Sequence, residues 1–201
     1  MMAKHVDYYV SLNSPWAYLG SRRFEAIASR HKADVTIWPV DFGSVFAVSG
    51  GLPLPKRAPQ RQAYRMMELK RWRDHLGVKL TLEPKFFPAN EVPAARCVIA
   101  LREQGRMADA LELAHAVLAA LWAEEKNTGD PATLREIIAG CGLDADAVTR
   151  AADDPALDTA RETYTRHAIE QGVFGAPSFV IDGEIFWGQD RLDFVDRKLA
   201  A

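Results

Sequence analysis

Cysteine is scarce: the chain has 2, Cys97 and Cys141, set far apart in periodic apolar segments. No Cys-x-x-Cys pair exists, which excludes a dithiol redox dyad and a thiolate-based zinc site. The economical reading is a pair of buried, reduced thiols in a cytoplasmic protein. The 5 histidines are equally dispersed, so no metal ligand cluster is expected. His5 is terminal, His31 and His75 fall near helix ends, and His115 and His167 have no nucleophile patterned beside them. Long apolar runs are missing too. No window approaches the roughly 18 residues of a membrane span, and the stretch before Asp7 is too polar for a signal peptide. Charge of one sign is also absent: 25 basic and 27 acidic residues leave a net charge of -2, giving no global field to recruit nucleic acid. Finally, the sequence lacks a Gly-x-Gly-x-x-Gly fingerprint, a Walker loop and a Gly-x-Ser-x-Gly elbow, which speaks against nucleotide binding and serine hydrolysis.

What is present is a chain of 201 residues, 48% hydrophobic, enough for one domain or one domain enlarged by an insertion. Val6-Asp7-Tyr8-Tyr9-Val10 reads as a strand. Ser14-Pro15 opens a helix, with Ser capping free N–H groups and Pro suited to the first position, and an apolar stripe through Leu19, Phe24 and Ile27 carries it to about Arg30. Val35 to Trp38 is a second strand, making a βαβ unit with parallel neighbours. After the Gly- and Pro-rich loop 50–55 the pattern is helical: about Gln60 to His75, Glu91 to Glu103 with Asn90 as cap, Ala108 to Glu125, a short helix from Asp130-Pro131, and one from Asp154-Pro155 to Gln171. Lys56, Arg57, Arg61, Arg65, Lys70, Arg71 and Arg73, interleaved with Glu68 and Asp74, read as a solvated helix face. Strand character returns at Ser178 to Ile181, turns at Asp182-Gly183 and comes back through Glu184 to Trp187. Asp190 is placed to cap a last helix.

Three stretches could carry chemistry. Ser14 stands where a strand's C-terminal end meets a helix N-terminus, a position that favours an anion, although an ordinary N-cap needs nothing more. Ala176-Pro177 opens a strand with a residue that lacks the ladder N–H, so it belongs at an edge or an unusual turn. Gln189 and Asp190 put a carboxylate at another helix start.

Taken in order, Asp7-Tyr8-Tyr9, Ser14-Pro15-Trp16-Ala17-Tyr18-Leu19, the helical block, Phe174-Gly175-Ala176-Pro177-Ser178-Phe179 and Phe186-Trp187-Gly188-Gln189-Asp190-Arg191 resemble the DsbA-like branch of the thioredoxin superfamily. The match is to 2-hydroxychromene-2-carboxylate isomerases and the related kappa-class glutathione transferases. The resemblance implies an α/β, thioredoxin-like fold with a large all-helical insertion between its βαβ and ββα halves: 1–50 and 173–201 form the thioredoxin-like domain, and 51–172 the insertion with its connecting segments. Where the disulfide-exchanging relatives carry Cys-x-x-Cys, this chain has Ser14-Pro15-Trp16-Ala17. The resemblance therefore implies a glutathione cofactor, with Ser14 as the catalytic residue on its sulfur, Ala176 and Pro177 on its peptide-like middle, and Gln189 and Asp190 on its γ-glutamyl end. It further implies a small aromatic carboxylate substrate held by Arg61, Asn90 and Asn127, and a homodimer. Arg61 departs from a lysine in relatives, and Asn127 from a frequent Asp. The expected activity is glutathione-dependent isomerisation of 2-hydroxychromene-2-carboxylate. A kappa-like transferase or peroxidase, or a noncatalytic thioredoxin-like binding or chaperone protein, are the alternatives.

Overall fold

Apolar and aromatic residues fill both sides of the first strand, so that strand must be covered on both faces. In the computed structural model, which describes residues 4–201, this is β1 (His5–Val10). Tyr8 and Tyr9, on opposite faces, are 2% and 0% exposed. The chain then forms α1 (Pro15–His31) and β2 (Asp34–Pro39), parallel to β1 with Tyr8 beside Ile37. β3 (Ser178–Ile181) runs antiparallel to β1, with Tyr8 opposite Phe179. β4 (Glu184–Trp187) returns beside it through Asp182 and Gly183, whose φ values of 53° and 78° give the hairpin turn expected of Asp-Gly. The sheet order is β2-β1-β3-β4. The result is a mixed four-stranded sheet with a helical block inserted between its halves, the thioredoxin-like plan that the sequence resemblance implies.

Between β2 and β3 lie α2 (Phe42–Ser49), α3 (Pro59–Leu76), α4 (Val92–Glu103), α5 (Met107–Trp122), α6 (Pro131–Gly140), α7 (Ala145–Ala152) and α8 (Ala156–Glu170). Two of these, α2 and α7, have no counterpart in the sequence-based expectations. Each is 8 residues long, too short for a periodic pattern to declare itself. Each is started instead by an aspartate: Asp41 accepts from the Gly43 N–H, and Asp144 from the Ala147 N–H. The last helix, α9 (Leu192–Ala200), corrects another expectation. Asp190 does not cap it; Gly188, at φ 98°, turns the chain into a 3-10 turn over Gln189–Arg191, and the Asp190 carboxylate pairs with Arg191.

One apolar cluster runs from the sheet through α1 into α4, α5, α6 and α7. At its centre Phe179 lies flat on Tyr8, with centroids 5.1 Å apart, and 4.5 Å from Phe24. Both cysteines are unpaired; Cys97 is buried, which pushes its thiol up to about 12, but Cys141 is only partly buried, contrary to expectation. Among the described residues no helix is long and apolar enough to cross a membrane. Phe179→Ala empties the junction of sheet and α1, and should lower the unfolding free energy by about 3–5 kcal/mol in urea titrations.

Candidate active site

The end of β1 delivers the chain to α1 through Ser11, Leu12 and Asn13. Ser14 sits at the cap in extended backbone, and its Oγ accepts from the Ala17 N–H at 3.1 Å. The Ser14 N–H is taken by Ser11 O, and the Tyr18 N–H by Ser14 O. Pro15 has no N–H to offer. The Trp16 N–H is therefore left without an acceptor among the described residues, and so is the Ser14 O–H proton. Two uncommitted donors thus stand at the positive end of a helix of 17 residues, a setting that stabilises an anion.

The loop that carries this corner is tied down by side chains that no sequence pattern singled out. Asn13 makes a reciprocal pair with Ala89, Nδ2 donating to the carbonyl at 2.8 Å and Oδ1 accepting from the N–H at 3.0 Å. Glu91 accepts from Ser11 Oγ at 2.7 Å and from the Asn13 N–H at 3.2 Å through one oxygen. Its other oxygen takes Arg161 Nη2 of α8 at 2.7 Å. Burial raises the pKa of Glu91, opposed by the Ser11 hydroxyl, the Arg161 charge and the Asn13 N–H. Glu91 and Arg161 lie 70 residues apart in the chain and meet only in the folded state.

Facing Ser14 is the segment before β3. The Ala176-Pro177 bond is cis, as is Phe87-Pro88 on another part of the rim. Gly188 N–H donates to Pro177 O at 2.9 Å, and Ser178 Oγ to Gly175 O at 2.7 Å. The N–H and C=O of Ala176 enter no backbone hydrogen bond among the described residues. Gly175 permits the arrangement: a Cβ there would lie 2.4 Å from Trp187 Nε1, so the indole can cover the loop only if the position has no side chain.

Between these walls lies a cavity of about 1140 Å³, with Trp16, Phe46, Trp72 and Phe87 supplying apolar surface. Of the residues singled out from sequence, Ser14, Arg61, Ala176, Gln189 and Asp190 line it. Pro177, Asn90 and Asn127 are not on its lining, and neither is any of the 5 histidines. Gln189 is 1% exposed, its amide oxygen accepting from Arg23 Nη1 at 2.6 Å. Arg61 is exposed and has no carboxylate partner among the described residues. Asn90 accepts from the Val92 N–H and Asn127 from the Gly129 N–H, both at 3.2 Å. Gly129 packs on the Asn90 backbone, so the two asparagines brace the same pair of loops.

The clamp on the Ser14 loop has a measurable signature. Glu91→Ala strands Arg161 in a mostly buried place and should cost about 3–5 kcal/mol in urea unfolding. Glu91→Gln keeps an acceptor for Ser11 and should cost less.

Comparison with known proteins agrees with this geometry. The model of the DSBA-like thioredoxin domain family matches residues 5–200. A 2-hydroxychromene-2-carboxylate isomerase from Sphingobium xenophagum is 30% identical over 98% of this chain and 99% of its own. Glutathione S-transferase kappa 1 from Caenorhabditis elegans is 24% identical over 94% of this chain and 88% of its own. Among solved structures, a 2-hydroxychromene-2-carboxylate isomerase superposes with a TM-score of 0.79 at 26% identity, covering 98% of this chain and 94% of that one. A family match over almost the full length, on a sheet and helical block of the same plan, leads to one conclusion: the chain belongs to the DSBA-like thioredoxin domain family.

Proposed function

We propose that the protein is a glutathione-dependent isomerase that converts 2-hydroxychromene-2-carboxylate to trans-o-hydroxybenzylidenepyruvate. One observation carries this reading: a serine with an uncommitted hydroxyl proton caps α1 at the position where disulfide-exchanging relatives carry a cysteine, and it faces a cavity large enough for two small molecules. The relatives named as isomerases supply the reaction class.

The donors and acceptors present suit glutathione. The free N–H and C=O of Ala176, shaped by Pro177, can pair with a peptide-like segment as a strand edge would. Asp190, whose Oδ2 pairs with Arg191, has its Oδ1 left for an ammonium group. Gln189 accepts from Arg23 Nη1 through its amide oxygen, which leaves its amide nitrogen to donate to a carboxylate. Ser14 O–H and Trp16 N–H are positioned for a thiolate. Each interacts more strongly with sulfur as an anion than as a thiol, so each favours the ionised form.

When bound, glutathione supplies a thiolate that adds reversibly to the conjugated double bond of the ring-opened substrate and lets it rotate. The chain's own contribution is to hold that charge and orient the partners. Ser14 commits one lone pair to the Ala17 N–H and leaves its O–H free to turn to charge arriving in the cavity. Arg61 is the member of the expected substrate set that reaches the cavity; Asn90 and Asn127, committed to Val92 and Gly129, brace the loops behind it. Unpaired thiols support a cytoplasmic setting, and the homodimer implied by the family resemblance belongs to the same proposal.

A kappa-like transferase is the competing reading, favoured by the nematode relative. With 2-hydroxychromene-2-carboxylate and glutathione, the isomer should form while total free thiol stays constant; thiol consumed in step with product would mean transfer. Ser14→Ala should lower kcat/KM by about 10²-fold, as loss of a single preorganised donor does. Undiminished turnover in that variant, or no saturable glutathione binding, would remove the proposal's basis.

A further inference from the structure

Arg61 and Arg65, four apart within α3, fall on one helix face, and Arg57 lies just ahead of the helix in extended backbone. The sequence pattern suggests a solvated surface there. The fold instead turns this face toward the cavity, which all three side chains line. Among the described residues none of the three meets a carboxylate. Arg57 gives Nε to the Leu52 carbonyl at 2.7 Å and lies 6.0 Å from the Phe46 ring. Arg65 lies 5.5 Å from the Phe87 ring and 5.7 Å from that of Trp122. Its only polar contact is the Met66 sulfur, 3.7 Å from Nη1.

The two acidic residues on the cavity lining each pair with another arginine, Glu68 with Arg71 and Asp190 with Arg191. Burial, with the neighbouring Arg57 charge, pushes Arg65 down to about 10, and burial with the Arg61 charge lowers Arg57. Trp122, beneath Arg65, buries an indole N–H that has no acceptor either. This corner therefore gathers cationic donors without a carboxylate partner beside an apolar wall. An anion from outside the chain would pair with it.

Arg61 and Arg65 differ in how well they could grip such an anion. Arg61 is exposed and unsupported. Arg65 is half-buried and lies near two aromatic rings, which limit the positions its guanidinium can take, while its Nε and Nη2 N–H groups have no partner among the described residues. A fixed, planar fork suits a carboxylate in a way a mobile charge does not.

We propose that Arg65, assisted by Arg57, is the specificity-determining residue of the cavity and takes the carboxylate of an aromatic acid whose ring lies on the apolar wall. The identity of that acid as the molecule turned over rests on the isomerase reading; its binding by Arg65 does not. Glutathione also brings carboxylates, so the experiment must separate the two sources.

Calorimetric titration of the full-length protein with 2-naphthoate, with the uncharged 2-naphthamide, and separately with glutathione makes that separation. Wild type should prefer naphthoate to the amide by about tenfold or more, the scale of a hydrogen bond between charged groups. Arg65→Met should lose that preference while binding the amide as before and keeping its glutathione affinity within about twofold. Arg65→Lys, which keeps the charge without the fork, should fall between them. Lys70→Met, which removes a charge from α3 away from the cavity lining, should bind naphthoate like wild type. Equal binding of acid and amide by wild type would overturn the proposal, as would unchanged naphthoate binding in Arg65→Met. A parallel fall in glutathione affinity in that variant would also overturn it, by assigning Arg65 to the cofactor. Selective naphthoate binding lost with Arg65, in a protein that does not bind glutathione at all, would support Arg65 and sink the isomerase reading.

Discussion

The buried carboxylate of Glu91 is the constraint on which the site depends. Its two oxygens take three donors from two distant parts of the chain: the Ser11 hydroxyl and Asn13 N–H of the loop that ends β1, and the Arg161 guanidinium of α8. A buried ion pair of this kind contributes little net stability, since desolvation offsets most of the attraction. Its value lies in geometry. With Glu91 and the Asn13–Ala89 pair in place, the strand end has one way to enter α1, and Ser14 has one place to stand. The inserted helices are therefore part of the site even where they do not line it.

Around that fixed corner the cavity is built with unequal electrostatics. On the side of Ser14 and Ala176 the groups offered are a hydroxyl, a backbone N–H and a free peptide unit, with the Asp190 carboxylate beyond them. On the α3 side they are cationic, with guanidinium groups lying against aromatic rings. The first side suits a thiolate and a peptide, which need hydrogen bonds with defined direction. The second suits a carboxylate on an apolar body. Two ligands of different chemistry would thus have separate walls in a single space, as the proposed reaction requires.

Sequence and structure agree best where a local chemical signal decides the backbone. Ser14-Pro15 placed the start of α1 correctly, because a cap and a missing N–H act within a single turn. Asp182-Gly183 likewise placed the β3–β4 hairpin. The signal fails where the deciding contact is remote. α2 and α7 were invisible because their stability comes from an aspartate cap and from packing, not from a long periodic stripe. Asp190 had the composition of a cap, but the positive φ of Gly188 committed it to a 3-10 turn instead. Glu91 and Arg161 carry no mark of a partnership that exists only after folding. From sequence the arginines before and within α3 suggest a solvated face, because helical spacing reports which residues lie together, not what faces them.

Gly175 leaves room for the Trp187 indole, and that packing has a further consequence. Trp187 is 51% exposed at the cavity rim, where Trp16 and Trp72 also contribute to the lining. Of the remaining tryptophans, Trp122 is fully buried and Trp38 stacks on His167 at 4.5 Å away from the lining. The emission of this protein therefore arises in good part from indoles that any incoming conjugated molecule must approach. The cavity carries its own optical reporter, and occupancy can be followed from intrinsic light without attaching a dye.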